Sequence, residues 1–101
     1  MKLVSTIVLT AALGISSSAF ADVATGESTY AARGCIGCHG AGGKSVVPTY
    51  PSLVGQEAAF IKTNLTDFRS GARKNPTMNA MAAGLSDADI NNLADYIDSL
   101  K

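Results

Sequence analysis

The stretch Cys35-Ile36-Gly37-Cys38-His39 decides how the rest of this chain is read. It holds both cysteines and the single histidine of the 101-residue sequence. Two cysteines with two residues between them admit several chemistries. A thioredoxin-like redox pair uses this spacing, but it belongs beside a βαβ pattern, and no alternating apolar run long enough for a strand follows the first 21 residues. A zinc site needs about four protein ligands, and two thiols and one imidazole leave it short. A disulfide across so small an interval removes little entropy from the unfolded chain.

The histidine directly after the second cysteine selects the remaining option, the C-x-x-C-H attachment motif of c-type haem. Thiols at this spacing reach the two vinyl groups on one edge of a porphyrin and form two thioethers. The next residue then falls beneath the iron. His39 has no competitor as the axial imidazole, being the only one in the chain. The sequence therefore predicts one covalent haem c, held by Cys35 and Cys38, with its iron ligated by His39.

Residues 1–21 have the features of an export signal. Lys2 is followed by a short apolar stretch from Leu3 to Ile15, then by Ser16, Ser17 and Ser18 and the cleavage sequence Ala19-Phe20-Ala21. The apolar stretch is shorter than the ~20 residues that span a bilayer. Cleavage after Ala21 is expected to leave residues 22–101 as one periplasmic domain. It removes one lysine and no acidic residue, which leaves one net negative charge. That balance excludes nucleic-acid binding, which needs a basic face. No later apolar stretch approaches spanning length, so stable membrane insertion is not expected. A domain this small, with no tryptophan, needs a staple to fold, and a large apolar cofactor supplies one.

Three helical stretches are predicted. The first runs from about Gly26 to Arg33 and ends at Gly34, a C-cap glycine placed just before the cysteines. The segment Gly37 to Gly55 is rich in glycine and proline and reads as loop. A loop this long in a small domain implies a job, and wrapping a cofactor is one. The second helix runs from about Gln56 to Ser70, with Ala58, Ile61, Leu65 and Phe68 at helical spacing. Ala72 to Gly84 reads as a second loop, carrying Pro76 and two methionines. The third helix starts at Ser86, an N-cap with Asp89 three residues on. Ile90, Leu93, Ala94, Ile97 and Leu100 form its apolar face. The domain is thus expected to be all-α.

An electron-transfer haem has both axial positions filled, and a thioether is the natural ligand opposite histidine. Met78 and Met81 are the methionines that remain after cleavage. The residues alone leave both open, because methionine also serves as simple packing against a core or cofactor.

The ordered pieces Gly26…Tyr30…Cys35-Ile36-Gly37-Cys38-His39-Gly40, Tyr50-Pro51-Ser52-Leu53-Val54-Gly55-Gln56, Phe68 through Met78, Leu85-Ser86-Asp87 and Leu93-Ala94-Asp95-Tyr96 resemble the small class I cytochromes c. The likeness is to the bacterial c-553 type and to single halves of dihaem cytochromes c. It covers nearly all of residues 22–101. It implies a class I cytochrome c fold, with three or more helices wrapped around one covalently attached haem. It also favours Met78 over Met81 as the sixth ligand, and makes the carbonyl of Pro51 the acceptor for the inner ring N–H of His39. Arg69 or Arg73 is implied as a propionate partner, and Gly26 and Tyr30 as the place where the first helix crosses the last, near Leu93 and Tyr96. Ser45, Val46, Val47 and Thr49 match nothing in the family.

The expected function is that of a soluble periplasmic electron carrier rather than an enzyme, working as a monomer with transient redox protein partners. The alternatives are a haem-based gas or ligand sensor, which needs an open or weakly held iron position, and an electron-entry subunit of a larger redox complex. Cationic residues gather mid-chain and acidic ones on the last helix, an arrangement that is read either as a steering dipole or as ordinary solvated faces.

Overall fold

The structure is a computed structural model that describes residues 22–101. The predicted signal peptide lies outside the described residues. Among those residues there are five α-helices and no strand.

Helix α1 occupies residues 22–32, so it includes the predicted stretch but starts earlier. It stops at Gly34, whose φ of 81° is a left-handed conformation that a glycine adopts without strain. A short helix, α2 (Cys35–His39), follows at once and carries the whole haem motif. A 3₁₀ turn over Ala41–Gly43 comes next. The predicted loop from Gly37 to Gly55 is therefore helical at its start and irregular only from Lys44 onward.

The irregular part is closed by one atom. The carbonyl oxygen of Gly43 accepts from the N–H of Leu53 at 2.8 Å and from that of Val54 at 3.1 Å. Inside this closure the Ser45 N–H donates to Ser52 Oγ at 3.0 Å, and the Val47 N–H donates to Ser45 Oγ at 3.2 Å. The two serines supply the backbone with partners that regular structure would otherwise provide.

Helix α3 (Ala58–Ser70) begins two residues later than expected and ends at Gly71, left-handed with φ 86°. The second predicted loop is corrected more substantially, because Pro76–Ala83 forms helix α4. Asn75 caps it, its side chain accepting from the Met78 N–H at 3.0 Å, and Pro76 sits at the helix start. Proline costs nothing there, since the first N–H groups of a helix lack intrahelical partners in any case. Helix α5 (Asp87–Asp98) starts as predicted at Ser86. The Ser86 hydroxyl accepts from the Asp89 N–H, and the Asp89 carboxylate accepts from the Ser86 N–H, both at 3.0 Å, which makes a complete capping box.

The core lies where α3 and α5 pack and where α1 crosses α5. Its buried residues are Tyr30, Ile61, Ala82, Leu85, Ile90, Leu93, Ala94, Tyr96 and Ile97. Each large aliphatic among them contributes about 1.5–3 kcal/mol through burial. The rings of Tyr30 and Tyr96 meet at 5.4 Å between centroids and 56° between planes, a tilted contact that suits their quadrupoles. At the α1–α5 crossing a Cβ added to Gly26 would stand 2.0 Å from the Asn92 carbonyl oxygen. The crossing needs the absence of a side chain at that point.

Two arginines tie the start of α5 to the rest. Arg69 donates to the Leu85 carbonyl at 3.1 Å and to Asp87 at 2.7 Å, and Arg33 reaches Asp89 at 3.3 Å. Two of the acidic residues on the last helix are thus paired with arginines rather than presented as a bare negative face.

Candidate haem site

Short α2 presents the haem motif to a cavity of about 630 Å³ bounded by α3, α4, α5 and the loop after the 3₁₀ turn. That volume is ordinary for a bound organic cofactor. Cys35, Cys38 and His39 form one part of its wall, and Met78 and Met81 of α4 form another. Leu53, Phe60, Ile61, Leu65, Phe68, Leu93 and Ile97 supply large apolar side chains to the rest, beside polar Thr49, Gln56, Asn64, Arg73, Asn75 and Thr77. The lining is therefore chiefly apolar, with a few sulfur and nitrogen donors directed into it.

The two cysteines are not joined to each other, and both are half-buried. Burial pushes the Cys35 thiol up from its ordinary value. His39 Nδ1–H donates to the Pro51 carbonyl at 2.8 Å. With Nδ1 engaged, the tautomer is fixed and Nε2 keeps its lone pair for a metal. A hydrogen-bonded imidazole is also a more basic donor. The serine and Gly43 contacts described above hold Pro51 in place for this bond.

Of the two arginines considered for a propionate, Arg69 is committed to Leu85 and Asp87 and does not line the cavity. Arg73 does. It lies 4.8 Å above the Phe68 ring and donates to Asn64 Oδ1. It forms no ion pair among the described residues, so its charge faces neutral neighbours only.

Tyr30 also borders the cavity, and its hydroxyl donates to the Gly40 carbonyl at 2.6 Å. Burial pushes its phenol up to about 12. This bond fastens α1 to the turn that follows His39. Several cavity residues escaped the sequence reading. Phe60 is exposed and breaks the apolar spacing of α3, yet it lines the wall. Asn64 carries no motif, and Asn75, though within the stretch from Phe68 to Met78, was given no role; their places on α3 and at the α4 cap put them on the cavity wall.

A helical domain whose one cavity is lined by a C-x-x-C-H motif, a hydrogen-bonded imidazole and two methionines within apolar walls is a covalent haem protein. The chain belongs to the cytochrome c family, whose family model matches residues 23–101. It is similar to cytochrome c-554(548) of Halomonas halodenitrificans, 40% identical over 81 residues, covering 77% of this chain and 95% of that one. It is also similar to cytochrome c-553 of Helicobacter pylori, 44% identical over 96 residues, covering 89% of this chain and 94% of that one. Cytochrome c4 of Azotobacter vinelandii is 44% identical over 71 residues, which covers 65% of this chain and 34% of the longer relative. The protein is an electron-transfer haem protein with covalently attached haem c, and Cys35 and Cys38 fit the attachment motif.

Proposed function

We propose that the chain is exported and works as a diffusible single-electron carrier, with Cys35 and Cys38 as the thioether attachment points and His39 and Met78 as the axial ligands. When bound, the haem supplies an iron that alternates between two oxidation states one electron apart. The residues of the chain do the rest. Pro51 orients His39 through the 2.8 Å bond to Nδ1. The apolar walls from α3 and α5 exclude water from the iron's surroundings. Arg73, uncompensated by any carboxylate among the described residues, would hold a propionate, whereas Arg69 is neutralised by Asp87. With His39 and Met78 both engaged, a bound iron would keep no open position for a gas or a peroxide, which favours carriage over sensing or catalysis. The signal sequence read in residues 1–21 supports the periplasm as the place of work, and encounters with redox partners would be brief and small in area. No helix among the described residues is long and apolar enough to cross a membrane.

The observation that carries this reading is the placement of His39 and Met78 on the walls of one cavity, with the ring already fixed by Pro51. Optical spectra of the purified protein with and without dithionite, together with the pyridine derivative, test the haem type and the number of thioethers. Met78→Ala is expected to abolish the near-infrared charge-transfer band of methionine–haem coordination, and Met81→Ala to keep it. The reverse pattern would move the sixth ligand to Met81, and a protein without the band in its unaltered form would end the case for sulfur ligation.

A further inference from the structure

The connection between α3 and α4 is tied by a side chain of α4 that the ligand set does not use. Asn79 follows Met78 on α4, and its amide makes three hydrogen bonds, each to the backbone. Nδ2 donates to the Phe68 carbonyl at 2.9 Å and to the Arg73 carbonyl at 2.8 Å, while Oδ1 accepts from the Asn75 N–H at 2.9 Å. Two acceptors and one donor around a single amide allow only one orientation of it. The three backbone groups belong to the last turn of α3, the middle of the connection and the residue that caps α4. The Asn75 side chain in turn accepts from the Met78 N–H at 3.0 Å. The Met78 backbone is therefore linked to α3 through two asparagine side chains in series.

Apart from Asn79, the connection is held by the Arg73 N–H donating to the Asp67 carbonyl at 3.1 Å, by the Ala72 N–H donating to Ser70 Oγ at 3.3 Å and by the Arg73 guanidinium over Phe68, and none of these reaches Asn75 or α4. Ala72, Arg73, Lys74 and Asn75 are all exposed, so no buried side chain anchors it between Gly71 and α4. Methionine is unbranched, with three rotatable bonds and a soft, neutral sulfur. Such a ligand stays at a metal only as well as the backbone that carries it. We infer that Asn79 is a positioning residue for the sixth ligand: it fixes the α3–α4 connection so that Met78 faces the cavity, and it thereby sets how readily an outside ligand displaces the sulfur. This rests on the proposal that Met78 binds the iron.

The test is an imidazole titration of the oxidised holoprotein, followed by loss of the near-infrared methionine band, on the parent, Asn79→Asp and Asn79→Ala. Asn79→Asp keeps the size and the acceptor but removes both donors and sets a carboxylate oxygen against two carbonyls. It is expected to bind imidazole about tenfold tighter or more, from the loss of two to three hydrogen bonds at the connection. Asn79→Ala is expected to behave alike. Parent-like affinity in both would overturn the inference, because a purely structural role would lower the unfolding temperature without easing displacement. Met78→Ala run alongside separates the two claims: retention of the band in that variant refutes the ligand choice itself. Should the Asn79 variants not assemble, hydrogen exchange in the unaltered holoprotein decides. The side-chain amide protons of Asn79 are expected to exchange far more slowly than those of exposed Asn91, and equal rates would refute the role.

Discussion

Replacing Gly26 by alanine probes the α1–α5 crossing directly. The new Cβ would stand 2.0 Å from the Asn92 carbonyl oxygen, 2.7 Å from its carbon and 2.7 Å from Tyr96 Cβ. None of these atoms is the free end of a flexible side chain, so relief requires the two helices to separate by about 1 Å. Overpacking of this kind costs about 1–3 kcal/mol or somewhat more. Separation also loosens the Tyr30–Tyr96 contact, a pair worth about 0.5–1.5 kcal/mol. Alanine returns about 1 kcal/mol through its better helix propensity. The balance is a loss of about 2 kcal/mol, or a Tm roughly 10 °C lower in a domain of this size. Gly84→Ala is the matched control. Its added Cβ would meet only the tip of Arg33, at 3.1 Å, and its φ of −89° suits any residue. It is expected to stay within about 0.5 kcal/mol of the parent. Thermal unfolding of the holoproteins by circular dichroism at neutral pH measures both. A Gly26→Ala protein as stable as the parent would refute the close crossing.

Two further outcomes depend on pH. The Tyr30 phenol, raised to about 12 by burial, keeps its proton in the folded state at pH values where an unfolded tyrosine loses it. The stability it contributes is complete below pH ~10 and falls as pH rises towards the folded value. Tyr30→Phe should therefore flatten the alkaline fall in unfolding temperature, and it should also lose about 1 kcal/mol at neutral pH with the bond to Gly40. An unchanged alkaline slope would contradict this. The Ser86 N–H, with a smaller contribution from Arg33, holds the Asp89 carboxyl below the ordinary carboxylate range. Its benefit is present above the unfolded value and disappears as pH falls through the lowered folded one. Asp89→Ala is expected to cost about 1 kcal/mol at pH 7, and the gap from the parent should close in acid. A gap that persists at low pH would assign the effect to something other than the charged cap.

Much of this arrangement could be read from residue types. The five residues from Cys35 to His39 name their cofactor because the order of thiols and imidazole is itself the chemistry. The start of helix α5 was legible to the residue, since Ser86, Asp89 and the apolar series from Ile90 carry both a start signal and a period, whereas its end at Asp98 falls short of Leu100, which the expected apolar face included. Helix α4 was not. Pro76 and the weakly patterned residues around Met78 look like loop when taken singly, and only the pairing of Asn75 as cap with Pro76 at the first position turns them into a helix start. The division of labour between Arg69 and Arg73 was equally closed to the sequence, because it depends on which of them meets Asp87 across the fold. Ser45 matched no family feature, yet it braces the strand of backbone that ends in Pro51. Local hydrogen bonds of that sort leave no periodic trace.

The doubly accepting carbonyl of Gly43 divides the chain into unequal partners. At the tip, Val46 is 91% exposed and free to differ in side chain without disturbing the ring of His39, whereas Ser45, Pro51 and Ser52 belong to the support of that ring. The clasp itself is not free in this way: a Cβ on Gly43 would press on the Val54 nitrogen at 3.0 Å, from a φ of 73° that other residues rarely adopt. Natural variation in this segment should accordingly gather at the tip and stop short of the clasp and of the two serines, so that the exposed surface can change while the seat of the imidazole is preserved.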